Sequence, residues 1–239
     1  MAVQPWRKGI IASITEEAPL THRFLIKVPE LESFDFLPGQ FVTLDLPIGE
    51  KNSERWRSYS IASAPDLTNC FELVIVRAEG GKGTEYIFDN WALGSELIFR
   101  GPQGKFVLPE QIDRDLFLIC TGTGIAPFRS MIHYIISHQV PHKRIFLIFG
   151  CRKQCDLLYY EELKELELKE PRFKYLPTLS RETWEGDSGY VHDIYKKLLA
   201  DKPDAYFFLC GWKNMINDAR VSLQELGYDK KDIHFELYG

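Results

Sequence analysis

The chain has 239 residues, 45% hydrophobic and 26% charged, with a net charge of −5. That is an ordinary soluble globular composition, with enough material for one large or two modest domains. The acidic balance disfavours a general nucleic-acid binder, and no apolar run reaches the length that crosses a bilayer. The start, MAVQPWRKGIIASITEEAPL, lacks a long apolar stretch and is read as carrying no signal peptide, so the expected location is cytoplasmic. The five cysteines (Cys70, Cys120, Cys151, Cys155 and Cys210) are odd in number and scattered. They fit a reducing compartment better than a disulfide framework. Cys151 and Cys155 have no second close pair, so neither a zinc nor an iron–sulfur site is expected.

In chain order, the first half is built of short apolar runs separated by Pro and Gly: GIIASIT, FLIKV, FVTLDL, RSYSIAS, FELVIVRA and ELIFRG. These predict strands of a small antiparallel barrel or sandwich, with one short helix in TEYIFDNW. From about residue 115 the pattern alternates strand and helix. DLFLIC is followed by the helical IAPFRSMIHYIISH, RIFLIFG by DLLYYEELKELE, then come RFKYLPTLS, VHDIYKKLLA, AYFFLCG, MINDARVSLQELG and DIHFELY. Alternation of this kind predicts a doubly wound parallel sheet. The expected fold class is therefore β plus α/β, an antiparallel β-barrel over 1–108 followed by an α/β domain over 109–239, joined through GPQGKFVLPEQIDRD.

Three stretches carry candidate chemistry. RSYSIAS, residues 57–63, reads by itself as a half-buried strand with an unusual load of hydroxyls and one arginine. TGTGIAP puts Gly122 and Gly124 between a strand and a helix. There glycines let a backbone approach a pyrophosphate, and the helix start offers N–H groups. Pro127 departs from the usual GxGxxG, and a plain tight turn also satisfies the stretch. After the second parallel strand the first charged residue is Arg152, where a ribose-binding acid usually stands, and the third ends at Ser180 and Arg181. Arginines at successive strand ends suit a 2′-phosphate, although each singly is also an ordinary surface charge.

Taken together, the motifs resemble those of the plant-type ferredoxin–NADP reductase superfamily, over essentially the whole chain and in family order. The resemblance implies a flavin-binding β-barrel followed by an NAD(P)-binding domain, with FAD and NADP(H) as cofactors. RSYS is similar to the family's RxYS flavin motif. It implies Arg57 on the FAD pyrophosphate, Ser58 and Tyr59 at the flavin, and Ser60 near flavin N5. GGKGTEYIF resembles the second phosphate loop, with Lys82, Gly83 and Thr84 presenting N–H groups, and ELVIVR the flavin-bordering strand, with Val74 and Val76. On the nicotinamide side the resemblance implies Gly122, Thr123, Gly124, Arg152, Ser180, Arg181, Tyr190 (stacking on adenine), Cys210 and Gly211. LCGWKNM is similar to the family's CGxxxM segment, which puts Cys210 near nicotinamide C4. HFELYG resembles the family ending, with Glu236 tuning the site and Tyr238 stacking on the flavin, although Gly239 is one residue more than that ending has. Ser60, Cys210 and Glu236 are the implied catalytic set.

The implied activity is an FAD-dependent NADPH oxidoreductase that passes electrons singly to ferredoxin or flavodoxin. Two alternatives are the reductase component of a multicomponent oxygenase and a flavin-binding electron-transfer subunit of a larger complex. Lys8, Arg55 and Lys105 are candidates for docking an acidic carrier, with solvated charge as the default.

Overall fold

A computed structural model describes residues 4–238. The chain divides into two compact units, one of residues up to Val107 together with Arg129–Tyr134, the other of Leu108–Phe128 and the residues from Ile135 onward.

The first unit holds strands β1 (Trp6–Ala18), β2 (Thr21–Lys27), β3 (Phe41–Asp45), β4 (Trp56–Ser60), β5 (Cys70–Val76) and β6 (Glu96–Gln103). They pair antiparallel in the order β4-β3-β6-β1-β2-β5. Alternate residues of each strand face inward, as the two-residue period of a pleated sheet requires. Ile11, Phe24, Ile26, Val42, Leu44, Phe71, Leu73, Ile75 and Phe99 make one core. Phe71 lies 4.9 Å from Phe34 and 5.0 Å from Phe99, ring centre to ring centre. β4 and β5 are the two edges of the sheet, and an open edge leaves backbone groups unpaired. Here the edges are drawn together just past β4, where the Ala62 N–H donates to the Glu72 carbonyl at 2.8 Å and the Glu72 N–H to Ser63 Oγ at 3.0 Å. A short helix α1 (Asn52–Arg55) precedes β4, and α2 (Lys82–Asn90) inserts Ile87 into the barrel core.

The second unit is a parallel sheet of β7 (Asp115–Thr121), β8 (Ile145–Cys151), β9 (Phe173–Leu179), the two-residue β10 (Asp187–Ser188), β11 (Ala205–Trp212) and β12 (Ile233–Tyr238). Its order is β10-β9-β8-β7-β11-β12. Helices α3 (Ala126–Ser137), α4 (Tyr160–Lys169), α5 (Val191–Leu198) and α6 (Lys213–Glu225) make the crossovers. The chain steps from β7 to β8 to β9 in one direction, then returns to β11 and β12 in the other. Because such crossovers are right-handed, α3 and α4 cover one face, and α5 and α6 the other. Accordingly Val191, Ile194, Tyr195, Met215, Ile216, Ala219 and Leu223 share a core with Phe117, Ile119, Ile148, Phe207 and Leu209. On the opposite face Tyr160 of α4 meets Tyr175 of β9, with ring centres 6.1 Å apart. The direction reverses between β7 and β11, and a crevice at the carboxyl ends of strands beside such a reversal is where open α/β sheets take ligands.

The expected strands and helices are all present. The structure adds α1, β10 and several single 3-10 turns, which are too short to show in a hydrophobic period. No helix among the described residues is long and apolar enough to cross a membrane.

Candidate functional site

In the first unit, β4 runs antiparallel to β3 with Arg57 opposite Leu44, Ser58 opposite Thr43, Tyr59 opposite Val42 and Ser60 opposite Phe41. Directly opposed residues of a sheet share a face, and Val42 and Leu44 belong to the barrel core. Arg57 and Tyr59 thus lie on the core side at the sheet's edge. Ser58 lies on the outer side, its hydroxyl 3.1 Å from Thr43 Oγ1, and the buried Ser60 shares that side. Tyr59 is half-buried against the core, and desolvation pushes its phenol up to about 12, with Arg57 opposing the shift. It is a neutral ring at any ordinary pH.

The start of α2 is built against Arg57. Gly83 is buried, and a methyl group on it would sit 3.1 Å from Arg57 Cγ and 3.3 Å from Nε. The loop before the helix is held by Thr84, whose Oγ1 accepts the Ala78 N–H at 3.1 Å and donates to the Gly81 carbonyl at 3.0 Å. The Glu85 carboxylate accepts the Gly80 N–H at 3.1 Å. With the Thr84 hydroxyl so engaged, what Lys82, Gly83 and Thr84 can offer a ligand is the set of backbone N–H groups that a helix start leaves without intrahelical partners. Arg57 donates through Nη1 to the Trp56 carbonyl at 2.8 Å, which orients its planar fork. A fixed guanidinium, a lysine and a helix N-terminus side by side are a donor set matched to paired phosphates.

Val74 and Val76 of β5 point away from the barrel core, which takes Phe71, Leu73 and Ile75 from the same strand. Val74 is nonetheless buried, and Val76 is exposed. Packing in the barrel core therefore does not explain either residue.

In the second unit every nicotinamide-side candidate falls at or just beyond the carboxyl edge of the sheet, apart from Tyr190. Gly122, Thr123 and Gly124 form a 3-10 turn (Gly122–Ile125) between β7 and α3. Gly122 has φ +54, and a methyl group there would meet nothing within 4 Å, so its surroundings are open. Gly124 is the reverse: a methyl group would lie 2.5 Å from the Cys210 carbonyl oxygen and 2.8 Å from Gly211 Cα. The loop is thus pressed onto the end of β11 on one side and left open on the other. Thr121 Oγ1 ties the same end by accepting the Trp212 N–H at 3.1 Å. A tight glycine turn with an open backbone face at a helix start fits a pyrophosphate.

The two arginines are brought together by the backbone. The Ser180 N–H donates to the Cys151 carbonyl at 3.0 Å, and the Arg181 N–H to the Arg152 carbonyl at 2.9 Å. Both side chains are exposed at this edge. Glu182 is occupied elsewhere, accepting the Gln154 N–H at 2.7 Å. The Ser180 hydroxyl donates to the Cys151 carbonyl at 3.1 Å, so it joins the two loops and has no second proton to give a phosphate. Tyr190 is 66% exposed at the cap of α5, available for stacking.

Cys210 and Glu236 are register partners on the adjacent strands β11 and β12, and Trp212 pairs with Tyr238 two residues on. The period of a strand puts all four on one face. The Cys210 thiol is fully buried, and burial pushes it well above its ordinary range. The Glu236 carboxylate adds to the shift, while contacts with Tyr238 and the Gly211 backbone oppose it. Burial therefore keeps the Cys210 thiol protonated at neutral pH. Gly239 lies outside the described residues. Among the described residues no three His, Cys, Asp or Glu side chains gather as a metal site would require.

Two family models match the two parts of the chain: an oxidoreductase FAD-binding domain over residues 9–108 and an oxidoreductase NAD-binding domain over 118–221. A ferredoxin–NADP reductase B from Sorangium cellulosum is 32% identical, the match covering 98% of either chain. The chain belongs to the ferredoxin–NADP reductase family. It is an oxidoreductase flavoenzyme with an FAD-binding and a nicotinamide-binding part. The reductase is also 30% identical to the electron transfer component of anthranilate 1,2-dioxygenase from Acinetobacter baylyi. That match covers 87% of this chain but only 60% of that longer protein. Among solved structures, an Amycolatopsis cytochrome P450 reductase superposes with a TM-score of 0.87 at 26% identity, over 99% of this chain and 71% of its own.

Arg129 and Glu72, paired at 3.2 Å, were not among the expected site residues. Glu72 opens the ELVIVR stretch and Arg129 lies just past TGTGIAP, and the sequence signal of each is a charge inside an otherwise apolar strand or helix (CFELVIV and APFRSMI).

Proposed function

We propose that this reductase takes reducing equivalents from NADPH and passes them to a separate one-electron carrier of the ferredoxin or flavodoxin kind. On this reading residues 1–108 hold FAD and residues 109–239 hold the nicotinamide nucleotide. The observation that carries it is the backbone link between Arg181 and Arg152, which sets two exposed arginines side by side at the sheet edge that also bears the Gly122–Gly124 loop.

Bound FAD would supply the redox chemistry, converting the two-electron delivery of a nicotinamide into the single electrons that a carrier accepts. The chain's own residues bind and orient. Arg57 and the N–H groups of Lys82, Gly83 and Thr84 neutralise and fix the FAD pyrophosphate, and Tyr59 offers a neutral ring for the flat flavin. The Ser60 hydroxyl, able to donate or accept, serves the flavin N5 position. The Gly122–Gly124 backbone takes the second pyrophosphate, Arg152 and Arg181 the 2′-phosphate, and Tyr190 the adenine. Cys210, neutral and buried, shapes the place for the nicotinamide ring. Glu236 beside it would tune polarity, and Tyr238 would offer an aromatic ring for the flavin. Catalysis is then chiefly positioning, since the reacting atoms must be held near van der Waals contact.

Of the three basic residues considered for carrier docking, two are already paired within the chain. Lys8 lies 3.1 Å from Glu96, and Arg55 grips Asp45 with two bonds of 2.8 and 2.7 Å. They are weak candidates for docking, which leaves the exposed Lys105. Likeness to oxygenase electron-transfer components supports a second reading with the same chemistry and a different carrier.

The test of the NADPH assignment is Arg181→Glu. Losing a charge-assisted phosphate contact, worth about 1.5–3 kcal/mol, should raise the KM for NADPH about 10- to 100-fold and that for NADH little. Equal changes in both would contradict the assignment.

A further inference from the structure

Building on the flavin reading of Ser60, we propose that Arg129 is a positioning residue for the flavin strand, acting through the seam that closes the barrel. β4 and β5 are opposite edges of the sheet and share no ladder in its strand order. They meet just beyond β4, where the Ala62 N–H donates to the Glu72 carbonyl. Arg129, in the first turn of α3, closes the same point from its other side. Its Nη1 donates to the Ala62 carbonyl at 2.9 Å and lies 3.2 Å from Glu72 Oε1. One guanidinium nitrogen thus binds both halves of the seam, using one hydrogen for each.

The clamp is itself anchored. The second Glu72 oxygen lies 3.8 Å from Arg23 Nη1, and Arg23 Nε lies 2.8 Å from Glu17. Two arginines and two glutamates make an electrically balanced chain from the end of β1, through β2 and β5, to Ala62. The Arg129 and Glu72 side chains are 13% and 15% exposed, so this is a sheltered pair whose partners cannot be exchanged for water without cost. Arginine suits the place because it stays charged and presents several hydrogens in a rigid plane.

Ala62 is two residues beyond Ser60 on the same strand parity. Between them the chain is held by the Ile61 N–H on the Gln40 carbonyl at 2.9 Å. Without Arg129 the seam keeps only the Ala62 N–H bond to Glu72 and the Glu72 N–H bond to Ser63, so the strand end gains freedom to pivot about Ile61, and Ser60 moves with it. A misplacement of about 1 Å at a reacting centre costs on the order of a hundredfold in rate, so a clamp one pleat away from Ser60 bears on turnover without touching cofactor.

The experiment compares the full chain with Arg129→Met, Arg129→Lys and Glu72→Gln. Two readouts are used: amide hydrogen exchange over residues 58–75, with and without FAD, and the rate at which excess NADPH bleaches the bound flavin. Arg129→Met should speed exchange in this segment even without FAD. It should slow bleaching at least tenfold, with the NADPH KM within twofold of the parent. Arg129→Lys, which keeps a charge and three hydrogens, should recover most of the rate, and Glu72→Gln should fall between. If Arg129→Met does not fold, the Lys and Gln variants carry the comparison, and parental exchange and rate in both would overturn the proposal. Faster exchange with a parental bleaching rate would overturn it too. A Ser60→Ala control separates the failures. If that variant is bleached at the parental rate, the flavin reading of Ser60 fails and the proposal with it. If it is slow while Arg129→Met is not, only the proposal fails.

Discussion

Gly124→Ala tests how closely the glycine loop is built onto the end of β11. Its new methyl group would lie 2.5 Å from the Cys210 oxygen, 2.7 Å from the Cys210 carbonyl carbon and 2.8 Å from Gly211 Cα. Ordinary carbon contacts start near 3.5 Å, so loop and strand must separate by about 1 Å. Neither side yields readily. β11 is laddered to β7 on one flank and β12 on the other, and Ile125 and Phe128, just past the loop, are fully buried. All three obstructing atoms are backbone, so no rotamer change relieves the clash. Overpacking of this sort costs about 1–3 kcal/mol, and the immobile surroundings argue for the upper end. For a chain of 239 residues, about 3 kcal/mol corresponds to a fall in Tm of roughly 6–12 °C.

Gly122→Ala is the internal control. It has open surroundings and only the left-handed φ of +54 to pay for, about 1–2 kcal/mol, and so a smaller shift. Thermal scans of the parent and both variants, followed by circular dichroism and by the flavin spectrum, give the two shifts and the FAD retained. The prediction is a larger loss for Gly124→Ala than for Gly122→Ala, with flavin still bound in both at low temperature. A Tm for Gly124→Ala within 1 °C of the parent would refute the close approach.

Two further outcomes follow from the same geometry. Arg57→Ala should weaken FAD binding about 10- to 100-fold, from about 1.5–3 kcal/mol of charge-assisted hydrogen bonding, as read by titrating FAD-stripped protein. Unchanged affinity would remove Arg57 from the phosphate site. Stability should also fall at alkaline pH. Cys120 and Cys210 are fully buried, and burial holds both thiols well above the ordinary value of 9.0. Above pH 9 the unfolded chain loses these protons while the folded chain keeps them. Stability is therefore intact below pH 9 and declines as pH rises beyond it. With Cys151, which burial pushes up to about 12, the three thiols account for a loss of about 3 kcal/mol between pH 9 and 10. Urea midpoints at pH 8, 9 and 10 measure it, Cys120→Ala should lower the slope by roughly a third, and a flat profile would contradict the linkage.

The strands and helices of both units were legible because their hydrophobic periods are clean. FELVIVRA alternates Phe71, Leu73 and Ile75 into the core, and the apolar runs of β7 and β8 announce strands buried on both faces. Tyr59, Gly83, Gly124 and Cys210 were legible as positions because short motifs fix their neighbours in sequence. Their physical roles were not, since those depend on long-range pairing. That Gly124 meets the carbonyl of Cys210, or that Arg181 donates its N–H to Arg152, follows from the order of strands in the sheet, which no local pattern encodes. Ser180 shows the same gap. Its hydroxyl suggested a phosphate contact, yet the neighbouring loop already takes its proton. Arg129 was silent for the same reason, because a charged residue in an apolar helix reads as its solvent face until Glu72 and Ala62 are found against it.

Electron transfer from NADPH to FAD is read most directly from a visible spectrum of the purified full chain, loaded with FAD and titrated without oxygen by NADPH and, separately, by NADH. The protein should be yellow, with flavin bands that bleach quickly with NADPH and slowly with NADH. A chain that holds no FAD, or a yellow one that neither nucleotide bleaches, would contradict it.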